Sequence, residues 1–270
     1  MENLVLDANQ VIRKLEEFIR KTITDAGFAR AVVGLSGGID SALACYLTVG
    51  ALGKKNVLAV RMPYKASSQD SLDHAQLVVD ALGVQSETVP ITEMVDPLIR
   101  RFPDMEAVRK GNIMARARMI VLYDRSAEFK GLVVGTGNKT EELLGYTTLF
   151  GDSACGLNPL GDLYKTQVRQ LARFLGMPEV IITKPPTADL WKGQTDEGEL
   201  GFSYAEVDQL LFLLVDKHLT LKQCIQAGHP EAFVTKVVKT IRRTAFKRMV
   251  APIAYLEGNY DFVNDPEWAK

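Results

Sequence analysis

"AVVGLSGGIDSALACYL" spans Ala31–Leu47, and its two halves follow different patterns. Residues 30–35 form a short apolar run of the kind a buried strand makes. Residues 41–52 form an apolar run of helical length. Between them stands Ser36–Ser41, Ser-Gly-Gly-Ile-Asp-Ser. A strand that enters a helix through glycines is the start of a βα unit, and in an open α/β sheet ligands gather at the carboxyl ends of the strands. Gly37 and Gly38 let the backbone approach an anion with no Cβ in the way. Successive N–H groups at the helix start make a nest for that anion. Gly34, Ser36, Gly37, Gly38, Asp40 and Ser41 are therefore the candidate phosphate loop. The serine hydroxyls can donate to phosphate oxygens, and Asp40 can hold a Mg²⁺ beside them.

Two commoner nucleotide loops do not fit. A Walker loop needs Gly-Lys-Ser/Thr, and no lysine follows these glycines. "GTGNKT" (135–140) fails as well, with Asn138 where the second glycine belongs. The Gly-x-Gly-x-x-Gly dinucleotide fingerprint is absent.

Outward from this stretch the pattern repeats. Residues 10–26 read as an amphipathic helix stopped by Gly27, 56–63 as a second strand, and 70–82 as a helix ended by Gly83. Residues 86–91 read as a third strand, about 105–129 as a long helix, and 131–136 as a fourth strand. Strands alternating with helices predict an α/β fold: a Rossmann-like parallel sheet with helices on both faces. From 137 onward about 30 residues are Gly-rich and polar, and they read as a functional loop. A helix at 166–175, a loop at 184–201, and two or three helices reaching about 248 make a helical C-terminal part. With no internal repeat and no linker, residues 1–270 read as a single domain.

Composition narrows the function classes. The chain has 270 residues, 47% hydrophobic and 24% charged, with net charge -1. Overall charge gives no ground for a nucleic-acid or anionic-membrane partner. No apolar run approaches the ~20 residues of a membrane span. The start of the chain is acidic and then amphipathic, unlike a signal peptide, so a cytoplasmic protein is expected. Cys45, Cys155 and Cys224 are too scattered for a disulfide framework or a zinc site, and all three read as structural.

"SGGIDS" resembles the pyrophosphate loop of the N-type ATP pyrophosphatases, whose fold is the adenine nucleotide alpha hydrolase-like one. "KGNIMARARM" (110–119), "GTGNKTE" (135–141), "GDLYKTQV" (161–168) and "PPTADLWKGQTDE" (185–197) extend the likeness to the NAD synthetases over about residues 10–255. That resemblance implies ATP-dependent amidation of deamido-NAD to NAD through an adenylated carboxylate, with ammonia as donor, ATP and Mg²⁺ as cofactors, and AMP and pyrophosphate released. It places Lys165, Thr136 and Thr187 on ATP, and Asp40 and Glu141 on the metal. Asn112 and Arg116, four apart on one helix face, fall where deamido-NAD binds. It also implies a homodimer with the substrate site at the interface.

The likeness is uneven at the acceptor end. Many free-standing, ammonia-using members carry Lys, Asp and His where this chain has Leu149, Gly156 and Phe246. The local pattern resembles the synthetase domain of the glutamine-dependent branch, in which Glu141, Tyr146 to Leu149 and Lys247 line the substrate site. No glutamine-hydrolysing motif accompanies it, so free ammonia or a separate amidase is the expected nitrogen source. Other outcomes of the same chemistry are amidation of nicotinate mononucleotide or of another carbonyl. A non-catalytic adenine-nucleotide sensor would not need Asp40, Glu141 and Lys165 together. Near-neutral charge and the lack of Cys-x-x-Cys pairs speak against tRNA thiolation.

Overall fold

Four strands run parallel in the order β3-β2-β1-β4: β1 Ala31–Gly34, β2 Val57–Arg61, β3 Gln85–Thr88 and β4 Leu132–Val134. The computed structural model describes residues 4–187, 189, 191, 193–249, 251, 252 and 254. The helices of the α/β part are α1 Ala8–Asp25, α2 Ile39–Leu52, α3 Gln69–Leu82, α4 Thr92–Arg101 and α5 Ala107–Phe129. Next come α6 Lys139–Leu144, α7 Lys165–Phe174, α8 Glu179–Thr183 and α9 Asp196–Leu200. Last are α10 Tyr204–Leu211, α11 Leu221–Gln226 and α12 Glu231–Arg243. Phe212–Asp216 extends α10 as a π turn, and Ala245–Arg248 follows α12 as a 3-10 turn.

Side-chain alternation along the strands builds two apolar layers. Ala31, Val33, Val57 and Ala59 face α1, α2, α3, α7 and α8, meeting Ile19, Leu43, Leu47, Val78, Leu171 and Ile181. Val32, Leu58 and Val60 face the other way, onto Val95 of α4 and Met114, Ala117 and Val121 of α5. The sheet is thus covered on both faces, as the strand–helix alternation predicts. A third apolar cluster joins α6 and α10–α12 through Leu144, Tyr164, Tyr204, Leu210, Cys224 and Val237. It forms the helical C-terminal part.

Two segments differ from the sequence reading. No element is expected at 92–101, yet α4 forms there with Pro97 inside it. Pro97 breaks the helical pattern in the sequence, while burial of Val95 against β2 and α5 holds the segment helical. The Gly-rich stretch after 137 is not one long loop, because it contains α6. There the Asn138 side chain accepts from Glu141 N and the Glu141 side chain accepts from Asn138 N, a reciprocal capping box. The surrounding glycines hide that signature.

Lys236, Lys239, Arg243 and Lys247 recur at 3-, 4- and 4-residue steps, a spacing that predicts one basic stripe on a single helix, but they do not share one. α12 ends at Arg243, and the 3-10 turn after it takes Lys247 back toward α6. On α5, Ala117 and Val121 belong to the core and Ile113 packs partly against it, whereas Ile120 is exposed.

Candidate active site

The strand order reverses at β1. Strands β2 and β3 lie on one side of it, and the chain then returns to place β4 on the other. That switch point opens a crevice at the carboxyl ends of β1 and β4. α2 starts there with Asp40, and α6 starts there with Asn138 and Glu141. A cleft of about 490 Å³ lies over this point.

The turn after β1 has the tightest geometry. Gly37 adopts φ +77, and a Cβ there would stand 2.0 Å from the Ser71 carbonyl oxygen of α3. Only glycine meets both conditions. Gly38 is extended at φ -88, and a Cβ there would meet nothing closer than Ser36 Oγ at 3.3 Å. Ser36 and Ser41 share a 3.0 Å hydroxyl contact. Ser36 Oγ accepts from Gly38 N, and Ser41 Oγ accepts from Ser36 N.

Lys165 is the hub. Its side chain crosses from α7 and is only 3% exposed. Nζ donates to Asp40 Oδ2 at 2.5 Å and to Glu141 Oε1 at 2.9 Å, while Asn138 Nδ2 donates to the other Asp40 oxygen at 2.9 Å. The ammonium also sits 5.1 Å from the centre of the Tyr204 ring. Burial alone would lower the Lys165 pKa, but Asp40 and Glu141 outweigh it and hold the ammonium above its ordinary value. Burial pushes the Glu141 carboxyl up to about 7; Lys165 opposes that rise and Asp40's charge adds to it.

A second wall of the cleft is built from α5, the 145–152 turn and the 3-10 turn. Asn112 Oδ1 accepts from Thr148 Oγ1 at 2.8 Å, and Lys247 Nζ donates to the Gly145 and Thr147 carbonyls at 2.8 and 2.6 Å. Tyr146 donates its hydroxyl to Asp196 and Glu199. On the far wall, Asp189 Oδ2 accepts from Ser68 N, Ser68 Oγ and Ser71 Oγ, which fastens Asp189 to the start of α3. Thr187 Oγ1 accepts from Asp189 N.

Most of the expected residues share this cleft: Gly34, Ser36, Gly38, Asp40, Ser41, Asn112, Thr136, Glu141, Tyr146, Lys165, Thr187 and Lys247 all line it. Gly37 shapes the turn without lining the cleft. Arg116 and Leu149 do not line it either. Arg116 is exposed, and its guanidinium donates to the Leu149 carbonyl at 3.1 Å. The three positions of uneven likeness also stand outside the lining. Phe246 is 61% exposed, and a Cβ on Gly156 would stand 2.5 Å from Leu132 Cγ, so strand β4 leaves no room for a side chain at 156.

Several residues escaped the motif reading. Asn138, dismissed as a failed glycine, is the residue that orients Asp40. Asp196 and Tyr204 surround Lys165, with the Tyr204 hydroxyl on Asp196 at 3.2 Å. Asp208 lies beneath, fully buried. The spacing Ser203-x-x-Glu206 marks the start of α10 and was a legible signal for that neighbourhood. None of the three thiols lines the cleft, and burial pushes Cys45 up to about 12 and raises Cys155 and Cys224.

The NAD synthase family model matches residues 11–251. An NH(3)-dependent NAD(+) synthetase of Chlorobaculum tepidum is 51% identical, over 99% of this chain and 98% of that protein. Among solved structures, the NH3-dependent NAD synthetase of Campylobacter jejuni superposes with TM-score 0.79 at 33% identity, covering 93% of this chain and all of that one. The NMN synthetase of Francisella tularensis superposes with TM-score 0.82 at 30% identity, covering 93% and 99%.

Proposed function

The chain belongs to the NAD synthase family, and on that premise we propose that it amidates deamido-NAD to NAD with ATP and ammonia, as a C–N bond-forming ligase. The observation that carries this reading is one cleft lined by the Gly-rich turn after β1 and by a lysine held by two carboxylates. A carboxylate oxygen of the acceptor attacks the α-phosphorus of ATP, the bond to the β-phosphate oxygen breaks, and pyrophosphate leaves with the electron pair. Ammonia then attacks the acyl carbon, AMP leaves, and the nitrogen gives up a proton. Negative charge grows on the phosphates in the first step. The Lys165 ammonium and the positive end of α2 after the 36–38 turn would offset it. Thr136 and Thr187 contact the same nucleotide, while Asn112, Tyr146 and Lys247 hold the acceptor.

The donor set suits Mg²⁺. Asp40 and Glu141 offer hard oxygens on the cleft wall, and a carboxylate oxygen engaged by one donor keeps a lone pair free. Among the described residues no group of three or more His, Cys, Asp or Glu could hold a metal, so phosphate and water would complete the shell. Mg²⁺ bound there would supply further positive charge to the phosphates.

A pH dependence follows from Glu141. A metal ligand must be deprotonated, and this carboxyl is raised to about 7. At limiting Mg²⁺ and a fixed concentration of unprotonated ammonia, kcat/KM for ATP should therefore rise with pH through about 7 and level above it. Saturating Mg²⁺ should move that limb to lower pH. A flat profile between pH 6 and 8 would refute the metal role. In the unliganded protein the folded state holds this proton more tightly than the unfolded chain, whose carboxyl titrates near 4.5. Stability from this group is therefore present below about 4.5 and is lost as pH rises toward about 7.

The same reading carries a homodimer in the cytoplasm and ammonia taken free or from a separate amidase. Among the described residues no helix is long and apolar enough to cross a membrane. Assay of the purified protein with deamido-NAD or nicotinate mononucleotide, and with ammonium or glutamine, tests the reading. NAD should form from deamido-NAD and ammonium, with little turnover on glutamine. Equal use of glutamine would overturn the donor, and preference for the mononucleotide would overturn the acceptor.

A further inference from the structure

At the start of α7, Gln167 Oε1 accepts from Tyr164 N, but no side chain of the helix itself caps the N–H groups of Lys165 and Thr166. Its N-cap residue is Tyr164, whose hydroxyl is spent on Asp216 of the π turn. The first N–H groups of a helix have no intrahelical partner. Here two of them are satisfied from other elements. Lys165 N donates to Thr140 Oγ1 of α6 at 3.0 Å, and Thr166 N donates to Asp208 Oδ2 of α10 at 2.8 Å. Thr140 Oγ1 in turn donates to Asp208 Oδ1 at 2.6 Å. Because Thr140 accepts from Lys165 N, its single proton is directed at Asp208. Thr140 and Asp208 are both fully buried, and neither lines the cleft.

We propose that Asp208 is a positioning residue for the amidation reaction. Through Thr140 and Thr166 it fixes the start of α7 against α6, and so sets where the Lys165 ammonium stands relative to Glu141 and Asp40. The carboxylate is suited to this task. It accepts two bonds at once, and its negative charge favours the N-terminal end of α7. A second tie acts on the outer side, where Lys139 at the start of α6 donates to Asp216 at 2.8 Å and Tyr164 donates to the same carboxylate. Two acidic side chains from the α10 arm thus clamp the two helix starts that carry Glu141 and Lys165.

The inference rests on the reading of Lys165 as the group that meets the ATP phosphates. The test compares Thr140→Val, Thr140→Ser and Asp208→Asn in the full chain, with kcat and KM for ATP and deamido-NAD and a thermal melt for each. Thr140→Val keeps the shape and removes the hydroxyl relay. Its kcat should fall about 10- to 100-fold, the effect of roughly an ångström of misplacement, with KM for deamido-NAD within about twofold. Thr140→Ser should restore kcat to within about threefold, because the hydroxyl is what matters. Asp208→Asn should follow Thr140→Val; should it not fold, the two Thr140 variants decide. A folded Thr140→Val protein with wild-type kcat would overturn the proposal. So would equal kcat loss in Thr140→Ser, or a Thr140→Val chain that does not fold while Thr140→Ser does, since the relay would then hold the fold and not the site. A wild-type chain without NAD-forming activity would instead overturn the reading beneath it.

Discussion

Lys165→Met is expected to lower kcat by about a thousandfold and to destabilise the protein by about 3–5 kcal/mol in the same variant. The two losses have different origins. Activity falls because the growing charge on the phosphates loses its fixed cation, at about 10²–10³ in rate for one such donor. Stability falls because Asp40 and Glu141 are left facing each other with no counter-charge in a buried site. Glu141, already raised by burial, can take up a proton and relieve part of that cost, so the destabilisation should grow from pH 5 to pH 8. Adding Glu141→Gln to Lys165→Met removes one of the stranded charges. The double variant should regain most of the stability while remaining inactive. Urea unfolding at the two pH values, beside a turnover assay, reads both effects. Undiminished kcat in the single variant would remove Lys165 from the chemistry.

Gly37→Ala should be the most damaging Gly→Ala change among the described residues. An L-residue at φ +77 costs about 1–2 kcal/mol. The added Cβ would also stand 2.0 Å from a backbone oxygen of α3, a contact no side-chain rotation can relieve. Forcing such overlap adds about 1–3 kcal/mol. The turn or the start of α3 must then move, and Asp189, bonded to Ser68 and Ser71, moves with it. ATP affinity should drop more than about tenfold as the turn at the start of α2 shifts. Gly38→Ala is the internal control: its backbone is extended and its new methyl meets only a side-chain hydroxyl at 3.3 Å. It should cost under about 1 kcal/mol. Thermal melts and ATP titration of both variants check the contrast. Equal tolerance at both positions would show that the turn is not the constrained element described here.

How much of this was legible in the sequence depends on the range of each interaction. β1, the Gly37–Gly38 turn and α2 are encoded within a dozen neighbouring residues, and periodicity and glycine placement read them correctly. α6 is encoded just as locally, by Asn138 and Glu141, but glycines on either side concealed the cap. α4 depends on burial of Val95 by distant elements, which overrides Pro97. The meeting of Asp40 and Lys165 spans 125 residues and was legible only by resemblance, as was the placement of Lys247. Asp208 had no motif to announce it. Its role is visible only once α6, α7 and α10 are packed together. Arg116 and Leu149 show the limit in the other direction. The likeness assigns both to the substrate, and in the single chain the Arg116 guanidinium donates to the Leu149 carbonyl beside the cleft.

The central claim is that the acceptor carboxylate is adenylated, with pyrophosphate as leaving group, and isotope transfer tests it most directly. Deamido-NAD labelled with ¹⁸O in its nicotinate carboxylate is turned over with ATP, Mg²⁺ and ammonium, and the products are weighed. One labelled oxygen should appear in AMP and none in pyrophosphate, because the attacking oxygen stays on the α-phosphorus when ammonia displaces AMP. Label in inorganic phosphate with ADP as co-product, or AMP free of label while NAD forms, would contradict the account.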